Sequence, residues 1–398
     1  MGAEGLEHYL DNSATTPILD CALKKMNEIY TENYGNPSSL HEKGYLAQKA
    51  IEESKKTILS TLTPSGSSFT GNQLIFTSCG TEASNLAILG FAGSKARNAG
   101  KKFIFGETEH ASVINCAKHL ESLGYKVAFI PSPKGKLDME RYASELTQDT
   151  VFVSAMLVNN ETGAVNNINE IASMARAVNP DVIIHCDLVQ GYMKFPKKLF
   201  SSADLLTISA HKIGGPKGVG ALYVSGKVLK LRALSPVMFG GGQENGFRSG
   251  TENVAGIAGF AEAVKYYSDH SSKITGLFAD LNSQTRTMLG QIGDERIVIN
   301  TPESEIRADH IINVTVRGIR SETMLHFLSS RQVYVSSGSA CASNTNSRSH
   351  VLKSFGLEDR DIDSSIRISF GVQNTKEDVD ALVSGIQEGL ATLSSRRK

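Results

Sequence analysis

The stretch Leu205-Leu206-Thr207-Ile208-Ser209-Ala210-His211-Lys212-Ile213-Gly214-Gly215-Pro216-Lys217-Gly218 decides how the rest of the chain is read. An apolar, β-branched run stops at a histidine and a lysine and passes into a glycine-rich loop. A run that is apolar at consecutive positions, rather than alternate ones, suits a strand covered on both faces. Similar runs occur at 74–78, 103–106, 127–131, 151–158, 182–187 and 220–225, beside 205–210 itself. Helical patterns lie between them, as at 82–100 and 169–178. The alternation predicts an α/β fold, a seven-stranded and mainly parallel sheet flanked by helices.

The texture changes from about residue 253. A helical pattern runs through Ile257, Phe260, Ala261 and Val264 towards Leu289. Strand-like 297–300 and 311–316, a helix near 321–330, strand-like 366–370 and a closing helix from about Lys376 follow. This reads as a smaller α+β domain. The expected division is a large domain over 15–260, with 1–14 and 261–398 forming the small one. The length of 398 residues agrees, since one domain takes roughly 100–200.

Charge and composition exclude several classes. Lys plus Arg and Asp plus Glu both number 41, so the net charge is zero, which argues against nucleic acid or an anionic membrane as the main partner. The apolar stretches reach only about eight residues, against roughly 20 for a membrane span. Residues 1–11 are polar and acidic, without the basic-then-apolar order of a signal peptide, so a cytoplasmic protein is expected. The five cysteines, Cys21, Cys79, Cys116, Cys186 and Cys341, are scattered and form no CxxC pair. Neither a disulfide framework nor a metal site is expected.

In α/β sheets, ligands bind beyond the carboxyl ends of strands. Lys212 stands at such an end, where desolvation would expose a nucleophilic amine able to form a Schiff base; the plainer reading is a surface lysine in a turn. Asp187 ends the run 182–187 and precedes Lys212 by 25 residues. A lysine with an acid one strand earlier is what pyridoxal phosphate requires, the acid keeping the pyridine nitrogen protonated. Asp187 could equally cap a following helix. The run 74–78 leads into Cys79-Gly80-Thr81-Glu82 and a helix, a place for a phosphate or an ordinary Thr cap. Ser209 and His211 could add phosphate donors. His110 and Asn160 follow two further strands and reach the same rim. His110 could stack on a planar ring or move protons; a structural or solvated histidine is the plainer alternative.

One more signal is Ser336-Ser337-Gly338-Ser339-Ala340-Cys341-Ala342-Ser343-Asn344, small and polar throughout. A cysteine in such a loop is accessible, and accessible thiols are the reactive ones. Cys186 falls in a strand, and Cys21 and Cys116 fit helices as small apolar fillers. Cys79, beside the candidate phosphate site, stays open.

Together these motifs resemble the cysteine desulfurases of the NifS/IscS-like group, within the class V aminotransferases of PLP-dependent transferase fold-type I. The resemblance runs from Tyr9-Leu10-Asp11-Asn12-Ser13-Ala14-Thr15-Thr16 through Gly35-Asn36-Pro37-Ser38-Ser39 with His41, and Arg248-Ser249-Gly250-Thr251-Glu252-Asn253, to Ser364-Ser365-Ile366-Arg367-Ile368-Ser369. It implies that Lys212 holds pyridoxal 5'-phosphate, that Asp187 pairs with its ring nitrogen and that His110 stacks on the ring. Gln190 and Asn160 would lie near the ring hydroxyl. Gly80, Thr81, Ser209 and His211 would grip the phosphate. Thr251 would reach it from the other subunit of a homodimer. Arg367, with Asn36 nearby, would bind the carboxylate of L-cysteine. Cys341 would take the sulfur as a persulfide and pass it to an acceptor or scaffold protein for iron–sulfur assembly.

Three departures stand out. Cys79 and Gly80 replace the family's usual glycine and alanine, Leu188 replaces a small residue, and the segment 64–72 is longer than usual. The surroundings of Cys341 and His350 resemble the NifS/IscS-like group rather than the SufS-like group. The alternatives are a selenocysteine lyase, another pyridoxal-phosphate enzyme of this fold, or a non-catalytic scaffold. Cys341 argues against an aminotransferase, and the intact Lys212, Asp187, His110 and Cys341 set argues against a scaffold.

Overall fold

The computed structural model describes residues 7–63, 71–94, 101–304, 306–337 and 348–393. A seven-stranded sheet has the spatial order Gln73–Thr77, Gly220–Val224, Leu205–Ser209, Ile183–Asp187, Thr150–Ser154, Lys102–Gly106 and Lys126–Ile130. All neighbours are parallel except Gly220–Val224, which runs antiparallel to both strands beside it.

The reason for the consecutive apolar runs is visible in the packing. Ile104, Val153, Ile184, Leu206 and Ile208 enter one core, while Phe103, Phe105, Phe152, Ile183 and Leu205 enter a second core on the opposite face. Successive side chains point to opposite sides of a strand, so a sheet covered twice needs apolar residues at every position. The second core lies under the helices Gly80–Ala92 and Ala111–Ser122 and is rich in aromatics. There Phe152 packs against Phe91, Phe103 and Phe105 at centroid distances of 5.1, 5.6 and 6.3 Å. Truncating such a ring to alanine costs about 3–5 kcal/mol.

Several element bounds differ from the sequence reading. The strand expected over 151–158 ends at Ser154, because residues 155–166 turn back on themselves, with Asn159 N–H bonded to the Ala164 carbonyl at 2.8 Å. The helix expected to reach residue 100 ends at Ala92 with Gly93 as its cap, and 95–100 lie outside the described residues. The long helix expected from about 253 is two helices, Val254–Asp269 and Ser271–Gln291, parted at His270.

A second, three-stranded sheet joins Ser365–Ser369, Ile311–Val316 and Ile297–Ile299 in antiparallel order. The N-terminal segment crosses to this side: His8–Tyr9 pairs in parallel with Val333–Tyr334, and Asp11 bridges Ser369. Residues 12–16 then run beneath the carboxyl edge of the large sheet.

Candidate active site

The antiparallel strand Gly220–Val224 builds one wall of the site. Gly220 pairs with Thr77 on one side and Ser209 on the other, which puts the turn after Thr77 level with the end of the Lys212 strand. A Cβ on Gly220 would come within 2.4 Å of the Cys79 backbone, so only glycine allows this approach. The turn leads into the helix Gly80–Ala92. Its N-cap is Cys79, not Thr81, and the cap offers no side-chain hydrogen bond. At the other end of this turn the Glu82 carboxylate accepts the Ser78 N–H at 2.8 Å and is held by Arg248 at 2.7 Å.

Ser209 Oγ is buried beside this helix end and has no hydrogen-bond partner. A buried hydroxyl without a partner is costly, so a group absent from the chain itself is expected to meet it. The Gly80 Cα adjoins it closely: a Cβ there would lie 3.5 Å from Ser209 Cβ and 3.2 Å from Val189 Cγ2. Open helix N–H groups and a hydroxyl fit a phosphate. His211, on the same turn, bonds Thr15 Oγ1 at 3.1 Å, and burial pushes its imidazole down to about 3, leaving it neutral. Thr81 is exposed at the first helical turn.

Lys212 Nζ donates to the carbonyls of Ser13 and Ala14 at 2.6 and 2.7 Å. Gln190 donates to the same Ser13 carbonyl at 2.9 Å, while its Oε1 is buried and unpartnered. Asp187 is buried, accepts the Val189 N–H at 2.9 Å and precedes a turn rather than a helix, which removes the N-cap reading. Burial raises its carboxyl, against the opposing pull of His110 and Lys212. His110 caps the helix Ala111–Ser122 through Ser112 N–H, and burial lowers its imidazole, with Lys212 and His350 acting the same way and Asp187 opposing. A buried carboxyl on which Lys212 and His110 act suits a further positive charge, and a protonated pyridine nitrogen would supply one. The residues present therefore fit pyridoxal phosphate: Gly80 and Ser209 would meet its phosphate, Asp187 its ring nitrogen and Lys212 its aldehyde carbon.

Arg367 is 2% exposed, donating to Asp11 at 2.6 Å and to the Asn160 carbonyl at 3.1 Å. Its backbone exchanges two hydrogen bonds with Ser336, which anchors the chain entering the Cys341 segment beside the guanidinium. Ser349 Oγ donates to Glu161 at 2.6 Å and His350 bonds the Glu109 carbonyl at 3.1 Å, which anchor the chain leaving it. Cys341 itself lies outside the described residues. Asn36 is in an exposed turn closed by its bond to Ser38 N–H at 2.9 Å. Thr251 is exposed and lines a cavity of about 130 Å³ with Thr77, Ser78 and Arg248.

The class-V aminotransferase family matches residues 8–382. The chain belongs to that family. Within it, the chain is 37% identical to a NifS/IcsS protein homolog of Lactobacillus delbrueckii subsp. bulgaricus, over 96% of both. It is 36% identical to cysteine desulfurase IscS 1 of Archaeoglobus fulgidus, over 97% of this chain and 98% of that one. Among solved structures, a NifS-like protein superposes with a TM-score of 0.86 at 33% identity, covering 97% of this chain and all (100%) of the other. SspA, solved in complex with cysteine, gives 0.77 at 29% identity, covering 92% and 100%. The fold is that of the pyridoxal-phosphate enzymes of fold-type I, and this class-V chain is a pyridoxal-phosphate enzyme of the cysteine desulfurase type.

Some residues at this class-V site were missed in the sequence. The carbonyls of Ser13 and Ala14 carry no side-chain signal. Glu109, His185 and Lys194 are buried charged or polar residues in otherwise apolar surroundings. That contrast is legible as a pattern, but which face each residue takes is not.

Proposed function

We propose that this chain desulfurates L-cysteine to L-alanine, with Lys212, Asp187, His110, Arg367 and Cys341 as its working residues. The observation that carries the assignment is the buried, unpartnered Ser209 hydroxyl beside Gly80, on the strand that leads to Lys212 and neighbours the strand of Asp187. Bound there, pyridoxal phosphate supplies an electron sink for the substrate α-carbon. Asn160 and Gln190 lie on the rim that would hold the ring hydroxyl, and Thr81 and His211 on the side that would hold the phosphate.

Arg367 presents a planar fork to the substrate carboxylate and fixes which substrate bond faces the site. Its anchoring by Asp11 and Asn160 is established before substrate arrives, so little orientation remains to be lost on binding. Asn36 would assist from its exposed turn. Lys212, released from the Ser13 and Ala14 carbonyls, takes the α-proton, and the neutral His110 is available to pass protons. The Cys341 thiolate then attacks the substrate sulfur. A sulfur–sulfur bond forms as the carbon–sulfur bond breaks; the carbon keeps the electron pair, gains a proton and becomes the methyl of alanine. Both ends of the Cys341 segment are anchored at the rim of the site, which supports this role.

A homodimer is part of the reading. Tyr30, Tyr34, Leu40 and Tyr45 are exposed on one stretch, and Val237, Met238 and Phe239 on another. Apolar surface of that extent suits a second copy, whose Thr251 would complete the phosphate grip. The division into a large part, 15–260, and a small part, 1–14 with 261–398, is supported by the pairing of His8–Tyr9 with Val333–Tyr334. An acceptor or scaffold protein for iron–sulfur assembly would receive the persulfide. A reduced working thiol fits the cytoplasm; no helix among the described residues is long and apolar enough to cross a membrane.

The test is to supply purified protein with pyridoxal phosphate and L-cysteine, and separately with L-selenocysteine, and to follow alanine and the mass of Cys341. Alanine from cysteine with a gain of one sulfur on Cys341 is expected. Turnover of selenocysteine alone would move the assignment to a selenocysteine lyase. Lys212→Ala should lose both the product and the visible absorption of the lysine-bound cofactor.

A further inference from the structure

Below the carboxyl edge of the large sheet runs a buried polar chain. Ser84 Oγ donates to Thr207 Oγ1 at 3.2 Å, and Thr207 Oγ1 meets His185 Nε2 at 3.0 Å. His185 Nδ1 meets Ser154 Oγ at 2.9 Å, and Ser154 donates to Glu109 Oε1 at 3.1 Å. Every member is at most 1% exposed. The parallel register brings them together: Ser154 pairs with His185, and Thr207 with Asp187 two residues further along the same strand.

The proton count gives the chain a direction. Thr207 accepts from Ser84, so its own proton goes to Nε2. Ser154 spends its proton on Glu109, so it must accept from Nδ1–H. His185 is thereby a neutral Nδ1–H tautomer, and burial holds its pKa at about 3. All donors point towards Glu109. The far oxygen of that residue, Oε2, is buried with no hydrogen-bond partner. Burial, and the charge of Asp187, hold the Glu109 carboxyl well above the usual carboxylate range. Besides burial, Asp187 feels His110, the Val189 N–H and Lys212, while Glu109 feels Asp187 and, in the opposite sense, the Ser154 hydroxyl and the Met156 N–H. Two buried carboxyls that feel each other's charge resist ionising together.

We propose that Glu109 is a positioning residue of the reaction: as an uncharged carboxylic acid it terminates the Ser84–Thr207–His185–Ser154 chain and leaves to Asp187 the negative charge that faces the cofactor nitrogen. Glu109 precedes the ring-stacking His110, and its own carbonyl binds His350 at 3.1 Å. One residue thus links the floor of the site to its wall. The proposal rests on the desulfurase reading for the role of Asp187, but its main readout does not depend on turnover.

The experiment compares infrared spectra of the holoenzyme and of its Glu109→Gln variant at neutral pH. The carbonyl stretch of a protonated carboxylic acid is expected in the first and absent from the second. Glutamine supplies an uncharged group of the same shape, so kcat and cofactor absorption should stay within about twofold, whereas Glu109→Ala should lose roughly tenfold in kcat by leaving the Ser154 hydroxyl proton without its acceptor. Identical spectra for the two proteins would overturn the proposal, as would a Gln variant as damaged as the Ala one. If the Ala variant does not fold, the infrared comparison and the Gln kinetics still decide. A protein that binds cofactor yet makes no alanine would remove the desulfurase reading while leaving the infrared result intact.

Discussion

The Arg367 guanidinium donates to the Asp11 carboxylate at 2.6 Å, joining residues 356 positions apart. Asp11 also bridges Ser369 two residues beyond Arg367, so the ion pair continues a strip of backbone pairing. Arg367 is almost fully buried, while 19% of the Asp11 side chain remains accessible. Under the proposed function, the planar fork of this buried, pre-oriented guanidinium would recognise the substrate carboxylate.

Arg367→Lys should therefore raise KM for L-cysteine far more than it lowers kcat. A lysine keeps the charge but loses the planar fork, and the loss in kcat/KM should be about 10–100-fold. The penalty should largely vanish with cysteamine, which has no carboxylate. An equal penalty for both substrates would place the carboxylate site elsewhere.

Ser209→Ala should act in opposite directions in the two forms of the protein. In the apoprotein it removes a buried hydroxyl that has no partner, so the melting temperature should hold or rise. In the holoprotein it removes a phosphate donor, so affinity for pyridoxal phosphate should fall about tenfold. Thermal melts with and without cofactor measure both. A drop in the apoprotein alone would show that the hydroxyl is structural.

Cys341→Ala should abolish persulfide and sulfide production and leave the colour of the bound cofactor intact. Mass spectrometry after a single addition of cysteine checks the first point and absorbance the second. Normal conversion of cysteine to alanine by this variant would refute the persulfide role.

Cys79→Ser should be nearly neutral for activity. Cys79 is the N-cap of the helix Gly80–Ala92 without a side-chain cap bond, and serine is a preferred cap, so a gain of about 0.5–1 kcal/mol in stability is expected. Denaturant unfolding measures the gain. A large loss of turnover would mean that the thiol takes part in the chemistry.

The other thiols show how far local pattern reaches. Cys116 and Cys186 are buried fillers, as their helix and strand positions suggested, and burial pushes the Cys116 thiol up to about 11. Cys21 is only half-buried in its helix, and burial still raises its thiol. Thr81 shows the limit. A threonine after a glycine looked like a cap, but the cap is Cys79, two residues earlier, where Gly220 lets the Cys79 backbone approach its neighbouring strand.

By itself the sequence determined the strands of the large sheet, the lysine at the end of one and the aspartate at the end of another. Those are local matters: apolar runs must be covered on both sides, and a polar residue at the end of a buried strand falls at its edge. It also carried the family, through motifs spread along most of the chain. Only the tertiary structure decided what depends on register and crossing. The pairing of Ser154 with His185 makes a hydrogen-bonded chain out of residues that look unrelated in order. The path of residues 12–16 brings two carbonyls to Lys212, and the bridge from Asp11 to Ser369 brings the Asp11 carboxylate to a buried strand arginine. Backbone carbonyls have no residue code, and contacts between distant positions depend on how the sheets lie together.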